Sequence, residues 1–358
     1  MMMDPAAVLN TTRLARLDDA SRIAAFVAQC PDATAFHRPA WLHAVEHACG
    51  HETHIVLAET AGEIVALLPL NAVHSPLFGR ALVSTGFAVD GGVIGDPAHA
   101  GTLAAAAVRL AARLSCPSVE LRGGPLPDGP MDRGRGWHVK TDSHAGFVMP
   151  LGADDEAQLA AIPRKQRAEV RKGLAHALTV QIGRSAADRA MHYAVYAESV
   201  RNLGTPVFPR ALFDAVLDGF GDDADILTVL SDDRPVAAVL SLYHRGAVMP
   251  YWGGGIADAR RLRANDVMYY RLMCHARTRG CDRFDFGRSK IDSGAYHFKR
   301  NWGFAPQPLA YAQWSADGVT PRDVNPLSPR YRAKISLWQK LPLAIANRLG
   351  PLIAAGLA

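Results

Sequence analysis

The stretch DFGRSKIDSGAYHFKRNWGF, residues 285 to 304, interleaves basic side chains with glycines and aromatics directly after an apolar helical run. Composition allows two readings, a cationic surface hairpin or a place that holds a negatively charged group. A lysine fixed in a dry aromatic setting stabilises an oxyanion as it develops, an effect of about 3 kcal/mol for one donor. Lys299, with Phe298, Trp302 and Phe304 beside it in the chain, could take that role; charge alone favours a hairpin tip on which it is merely solvated with Arg300. Asp285 alternates with Phe284 and Phe286, so its carboxylate should face away from theirs, to accept a proton inside a pocket or to pair with Arg288. Arg288 and Lys290 flank Ser289 near a strand end and suit a phosphate or an acidic sugar, or a turn salt-bridged to Asp285 or Asp292. Tyr251 and Trp252, before Gly253-Gly254-Gly255, offer aromatic walls or ordinary core packing.

A second cationic run, Arg164, Lys165, Arg167, Arg171 and Lys172, falls on successive turns of a helix that Pro163 would start. It reads as a solvated face, or as a surface for a polyanion or anionic lipid. HACGHETH, residues 47 to 54, spaces three histidines but is not H-E-x-x-H, and Gly50 interrupts it, so surface histidines and no metal are expected. The five cysteines form no C-x-x-C pair and no G-x-S-x-G elbow is present, which argues against a zinc site, a disulfide framework and a serine nucleophile.

The elements that would position these residues occur twice. Residues 55 to 73 and 226 to 243 each read strand, turn, strand; a Gly-rich stretch, an amphipathic helix (from Ala100 and from Asn265) and a short strand follow in both. Cys116 and Glu120 match Cys281 and Asp285 at one offset, which implies two copies of one α/β domain. The expected division is 1–150, 151–320, and a helical tail from 321 to 358. That tail is apolar but broken by Pro342 and Pro351 and cut by Lys340 and Arg348, so it suits a packed helix or one lying on a membrane surface, not a spanning one. At 49% hydrophobic and 20% charged the chain is an ordinary folded protein. A formal charge of +5 fits phosphates, anionic lipid or acidic sugars without indicating nucleic acid, and the N-terminus has no secretory pattern, so the expected location is the cytoplasm.

The duplicated domain, the basic segment IPRKQRAEVRKG and the late FDFGRSK…YHFKRNWGF together resemble the FemAB-type acyltransferases, relatives of the peptidoglycan interpeptide-bridge enzymes. The likeness is greatest to the branch found with exosortase (PEP-CTERM) and exopolysaccharide loci, through GRSKIDSGAYHFKRNWGFAPQPLAY and NPLSPRYRAKISLWQKLPLAIANRLGP. The resemblance implies an α/β (α+β) fold of tandem GNAT-like domains, and an N-acyl or aminoacyl transfer onto a cell-envelope or exopolysaccharide precursor. It implies a catalytic Lys299, Arg201 toward the acceptor's phosphates, and Trp41 in the family's aromatic opening. No cofactor would stay bound. The acyl donor is open between aminoacyl-tRNA and acyl-CoA, and the acceptor between a small molecule and a lipid- or nucleotide-linked saccharide. Two departures bear on this: the lysine that bridge enzymes place after the aromatic opening is missing, and RRLRANDVMYY, residues 260 to 270, lacks the glycine loop that holds a CoA pyrophosphate. Acetyl-CoA-dependent acetylation of an amino sugar and a binding module without chemistry are the alternative readings.

Overall fold

The computed structural model describes residues 10–126, 137–319 and 329–357. They divide into two compact units, the first holding residues up to 141 with 310–319, Gly356 and Leu357, the second 142–309 and 329–355.

The first unit's sheet runs β1 (Asn10–Leu14), β2 (Glu52–Thr60), β3 (Glu63–Ser75), β4 (Gly79–Ser84), β6 (Ser118–Arg122), β15 (Tyr311–Ser315) and β7 (Trp137–Lys140), with β5 (Ile94–Gly95) added to β3. Helices α1 (Ala20–Gln29), α2 (Pro39–Cys49) and α3 (Ala100–Arg113) complete it. The second sheet runs β9 (Leu178–Gly183), β10 (Ala224–Ser231), β11 (Arg234–His244), β12 (Ala247–Gly255), β13 (Arg283–Lys290), β8 (His144–Pro150) and β14 (Gln307–Pro308). Its helices are α4 (Asp155–Ala161), α5 (Arg164–Leu174), α6 (Ala186–Leu203), α7 (Arg210–Phe220), α8 (Ala259–Leu262), α9 (Ala264–Thr278), α10 (Gly294–Asn301), α11 (Pro329–Gln339) and α12 (Leu343–Ala354).

Strand for strand the two orders match, and each sheet has one parallel pair among antiparallel neighbours, β4 with β6 and β12 with β13. The central strands explain the apolar runs in the sequence. In β11 every residue from Val236 to Tyr243 is buried, because helices cover both faces of the sheet and alternation is lost. α6 starts where Ser185 and Asp188 cap each other's backbone amides, and it stops at Gly204, whose φ of 82° lies in the left-handed region.

One feature departs from a plain tandem repeat. β8 pairs with β13 of the second sheet, and β15, which follows that whole domain in the chain, pairs with β6 and β7 of the first. Each copy's sheet is therefore completed by a strand that a division at 150 and 320 assigns to the other. The burial pattern gives the reason: Ala145 and Phe147 of β8 belong to the second core, Ala312 of β15 to the first. Nor do α11 and α12 form a separate tail, since both pack on α6 within the second unit.

Candidate functional site

β12 and β13 are hydrogen-bonded to each other only at Ala247↔Arg283 and Val248↔Phe284; beyond those positions β12 continues to Gly255 and β13 to Lys290 without pairing. Parallel strands that part leave backbone polar groups at a sheet's C-terminal edge, where open α/β sheets hold ligands. β13 carries its irregularity there, with a register shift between Asp285 and Arg288 and Gly287 at φ 64°. The bulge turns the Asp285 carboxylate back to accept from the Gly287 amide at 2.8 Å.

α10 then brings Lys299 against this bulge. Residues 294 to 301 are helical, not a hairpin tip, because the Ser293 hydroxyl accepts from the Tyr296 amide and caps the turn. The lysine is 8% exposed, and its Nζ donates to the carbonyls of Arg288 (2.9 Å) and Gly287 (3.3 Å). It lies 5.3 Å from the ring centre of Phe147 and 5.4 Å from that of Phe286. Burial drives its pKa down to about 7, Asp285 pulling it upward and Arg288 further down. Asp285 is shifted the other way: burial raises its carboxyl above the usual range, against the pull of the Gly287 amide and of Lys299. An ammonium has three N–H groups and the two carbonyls take two, so a third donor remains for a developing oxyanion.

The sequence-predicted residues divide into two groups. Lys299, Asp285, Arg288, Lys290 and Phe298 come together on β13 and α10, Phe298 resting on Phe286 and Tyr269 at centroid distances of 6.1 and 5.7 Å. Tyr251 is partly exposed on β12. The others are elsewhere. Trp252 is 3% exposed, its ring 4.8 Å from Phe213 and its carbonyl bonded to His192, so it is core and not a pocket wall. Arg201 donates to the Gln339 carbonyl and ties α6 to α11; it does not face the Lys299 bulge. Trp41 belongs to the first unit, fully buried against Phe36 and donating to the Gly86 carbonyl. Among the histidines expected at the surface, His51 is buried, at 2% exposure.

Several contributors were missed. Phe147 arrives on β8, a strand the sequence assigns to the other copy. Tyr269 of α9 packs on Phe286 (4.7 Å) and Trp302 (6.1 Å), and burial raises its phenol pKa. Ser289 Oγ and Trp302 Nε1 are buried with no partner among the described residues, and such atoms ordinarily cost about 1–3 kcal/mol each. The glycine run of β12 serves close packing: a side chain at Gly254 would collide with the Ser199 hydroxyl of α6.

Two further features bear on what a donor would meet. The first turn of α9, where a phosphate would otherwise be attracted, carries Asp266, which accepts from Gln166 at 2.6 Å and whose carboxyl is raised in pKa by burial. On α5, Arg164, Arg167, Arg171 and Lys172 line an open cationic depression of about 580 Å³, with Lys172 also bonded to Glu169.

Residues 164–300, from α5 through α10, match the family model described as an acetyltransferase (GNAT) domain, and the matched span holds both Asp285 and Lys299. The second unit is thus an N-acyltransferase domain, and the molecule as a whole has the fold of tandem GNAT-like domains. FemX is similar in structure over 84% of this chain and 96% of its own, at 14% identity and a TM-score of 0.63. So is the C-terminal domain of a protein assigned as a lysylphosphatidylglycerol synthetase from Agrobacterium fabrum, over 83% and 91%, at 13% identity and a TM-score of 0.52. A GCN5-related N-acetyltransferase from Sphaerobacter thermophilus matches over 88% and 98%, at 13% identity and a TM-score of 0.50. No curated protein matches the chain.

Proposed function

We propose that the second unit transfers an acyl group, and in the favoured form an aminoacyl group, from an activated ester to an amine on a cell-envelope or exopolysaccharide precursor. The observation that carries this reading is Lys299, a buried amine with a pKa near 7 and a spare donor at the parted end of β12 and β13. In the reaction the acceptor nitrogen attacks the donor carbonyl, a C–N bond forms, and the carbonyl oxygen becomes an oxyanion that Lys299 stabilises. Asp285, whose raised pKa makes it a stronger base than an ordinary carboxylate, takes the proton from nitrogen; collapse breaks the C–O bond and the leaving oxygen is reprotonated. Arg288 and Lys290 would hold an anionic group of either substrate.

The favoured donor is aminoacyl-tRNA. Asp266 at the start of α9 works against a CoA pyrophosphate there, and the cationic α5 surface suits a polyanion. The structural likeness to FemX supports the same choice, and the resemblance of residues 287–311 to the exosortase-associated branch supports an envelope or exopolysaccharide acceptor. The acetyltransferase description of the matched domain favours a second reading, acetyl-CoA-dependent acetylation of an amino sugar. A donor panel separates them: purified protein is tested against aminoacylated tRNA and CoA thioesters, with Lys299→Ala in parallel. Saturable tRNA binding that weakens steeply with salt supports the favoured form, CoA-ester binding moves the assignment to acetyl transfer, and binding of neither overturns both.

A further inference from the structure

The chain's net charge is not spread over the protein. The 35 residues after Asp323 contain five Lys and Arg and no Asp or Glu, so the other 34 basic residues balance all 34 acidic ones and the whole excess of +5 lies in this C-terminal segment.

α12 in that segment has its side chains arranged the reverse of a helix that faces water. Ala346, Gly350 and Ala354, spaced four apart, are buried on the protein side; a side chain at Gly350 would meet Val207 at 3.0 Å, so only small residues fit. The large side chains point the other way. Ile345, Leu349 and Leu352, at i, i+4 and i+7, are 46%, 43% and 76% exposed, with exposed Arg348 beside them. On the neighbouring helices Leu337 of α11 is 66% exposed and Leu203, at the end of α6, is 71% exposed, while Lys334 and Lys340 are also at the surface. Exposed leucines and isoleucines grouped on adjacent helices mark a surface that meets something apolar. Cations without a single carboxylate in the segment mark the partner as anionic. Among the described residues no helix is long and apolar enough to cross a membrane.

We infer that α11 and α12 form an interfacial docking surface for an anionic lipid bilayer, with Ile345, Leu349 and Leu352 entering the acyl boundary and Lys340 and Arg348 at the headgroups. This surface is separate from the candidate acyl-transfer site. α12 packs on α6, which meets β12 through Gly254, whereas Gly253 and Gly255, on the alternate face of the strand, meet Tyr269 and Asn265 of α9. The inference therefore stands whether or not the proposed chemistry does.

The test is co-sedimentation of the full chain with vesicles of phosphatidylglycerol mixed with phosphatidylcholine, against phosphatidylcholine alone. Binding to the anionic vesicles only, lost in Leu349→Ser/Leu352→Ser and reduced about fivefold by either Lys340→Glu or Arg348→Glu, is the expected result. These side chains are exposed, so thermal unfolding of the variants should match the parent. Absence of binding, equal binding to neutral vesicles, or binding indifferent to the leucines would overturn the inference. A concentration-dependent dimer by light scattering that Leu349→Ser/Leu352→Ser dissolves would overturn it too, giving the face to a second copy of the chain.

Discussion

In the first unit β4 and β6 pair at three positions, and the chain leaving β4 folds back across their ends; in the second, β12 and β13 pair at two, and the chain leaving β12 passes directly into α8. The returning segment, residues 85 to 93, is fastened at every step. Gly86 is held by Asn71 and Trp41, Val89 by Tyr311, Asp90 by Thr34, Gly91 by the Arg122 carbonyl, and Gly92 by His37. Where the second copy has Gly287, the alignment of Glu120 with Asp285 puts Arg122. That guanidinium is 5% exposed, bonded to Glu120 at 2.7 Å and to the carbonyls of Thr85 and Ala88. Both copies thus set a cation beside a strand carboxylate, but one cation is consumed by the fold and the other keeps a donor to spare.

The sharpest way to break this comparison is to remove each cation. Lys299→Ala should lower kcat by about 10²–10³, with a smaller effect on KM, because the lysine acts on charge formed in the transition state. Arg122→Ala should leave kcat per folded molecule unchanged and destabilise the protein by about 1–3 kcal/mol in denaturant unfolding, since the Thr85 and Ala88 carbonyls lose a buried donor. Reversed outcomes would exchange the roles of the two copies.

The pH dependence probes the same lysine. With a pKa near 7 it is cationic below and neutral above, so kcat/KM should fall as pH rises through about 7, and Lys299→Arg should remove that limb. A rising limb there would make the neutral amine a base instead. Stability moves the opposite way. The unfolded lysine titrates near 10.5 and the folded one near 7, so the unfolded state binds the extra proton between those values and stability rises with pH across the window. Lys299→Met should flatten that slope and, near neutral pH, raise stability by roughly 1–3 kcal/mol in a thermal or denaturant melt. Gly287→Ala, forced to φ 64°, should cost about 1 kcal/mol and reduce kcat several-fold by shifting a carbonyl that holds the lysine. The smallest effect is expected at α5, where Arg167→Glu should raise KM for a polyanionic donor a few-fold at low salt and leave kcat alone.

Much of this architecture was legible in the sequence because it rests on period and repetition. Hairpin, helix and strand recur with their apolar spacing intact. The strand exchange was not legible, since β8 and β15 look alike to any local rule and only the complete cores distinguish their partners. At the candidate site, Lys299, Asp285 and Phe298 stand in one short stretch where charge and aromatics adjoin, but the role given to Lys299 comes from the family resemblance, since charge alone suits a hairpin tip. Arg201 and Trp41 come in through the resemblance and Trp252 could equally be core; residue type does not distinguish a ring packed in a core, or a guanidinium tying two helices, from a ligand contact. Phe147 and Tyr269 come from distant segments and carry no charge, and nothing near them in the chain draws attention; Trp302 shares a stretch with Lys299, but that its buried Nε1 has no partner among the described residues shows only in the packed structure.

The exchange of β8 and β15 also sets a timetable for synthesis. Val119 of β6 pairs with Trp314, 195 residues later, so the sheet begun by the first 141 residues lacks a strand until nearly the whole second domain has left the ribosome. A nascent chain released before residue 310 would expose an unpaired β6 edge, a template for association with other chains. The sheet begun first is the sheet closed last.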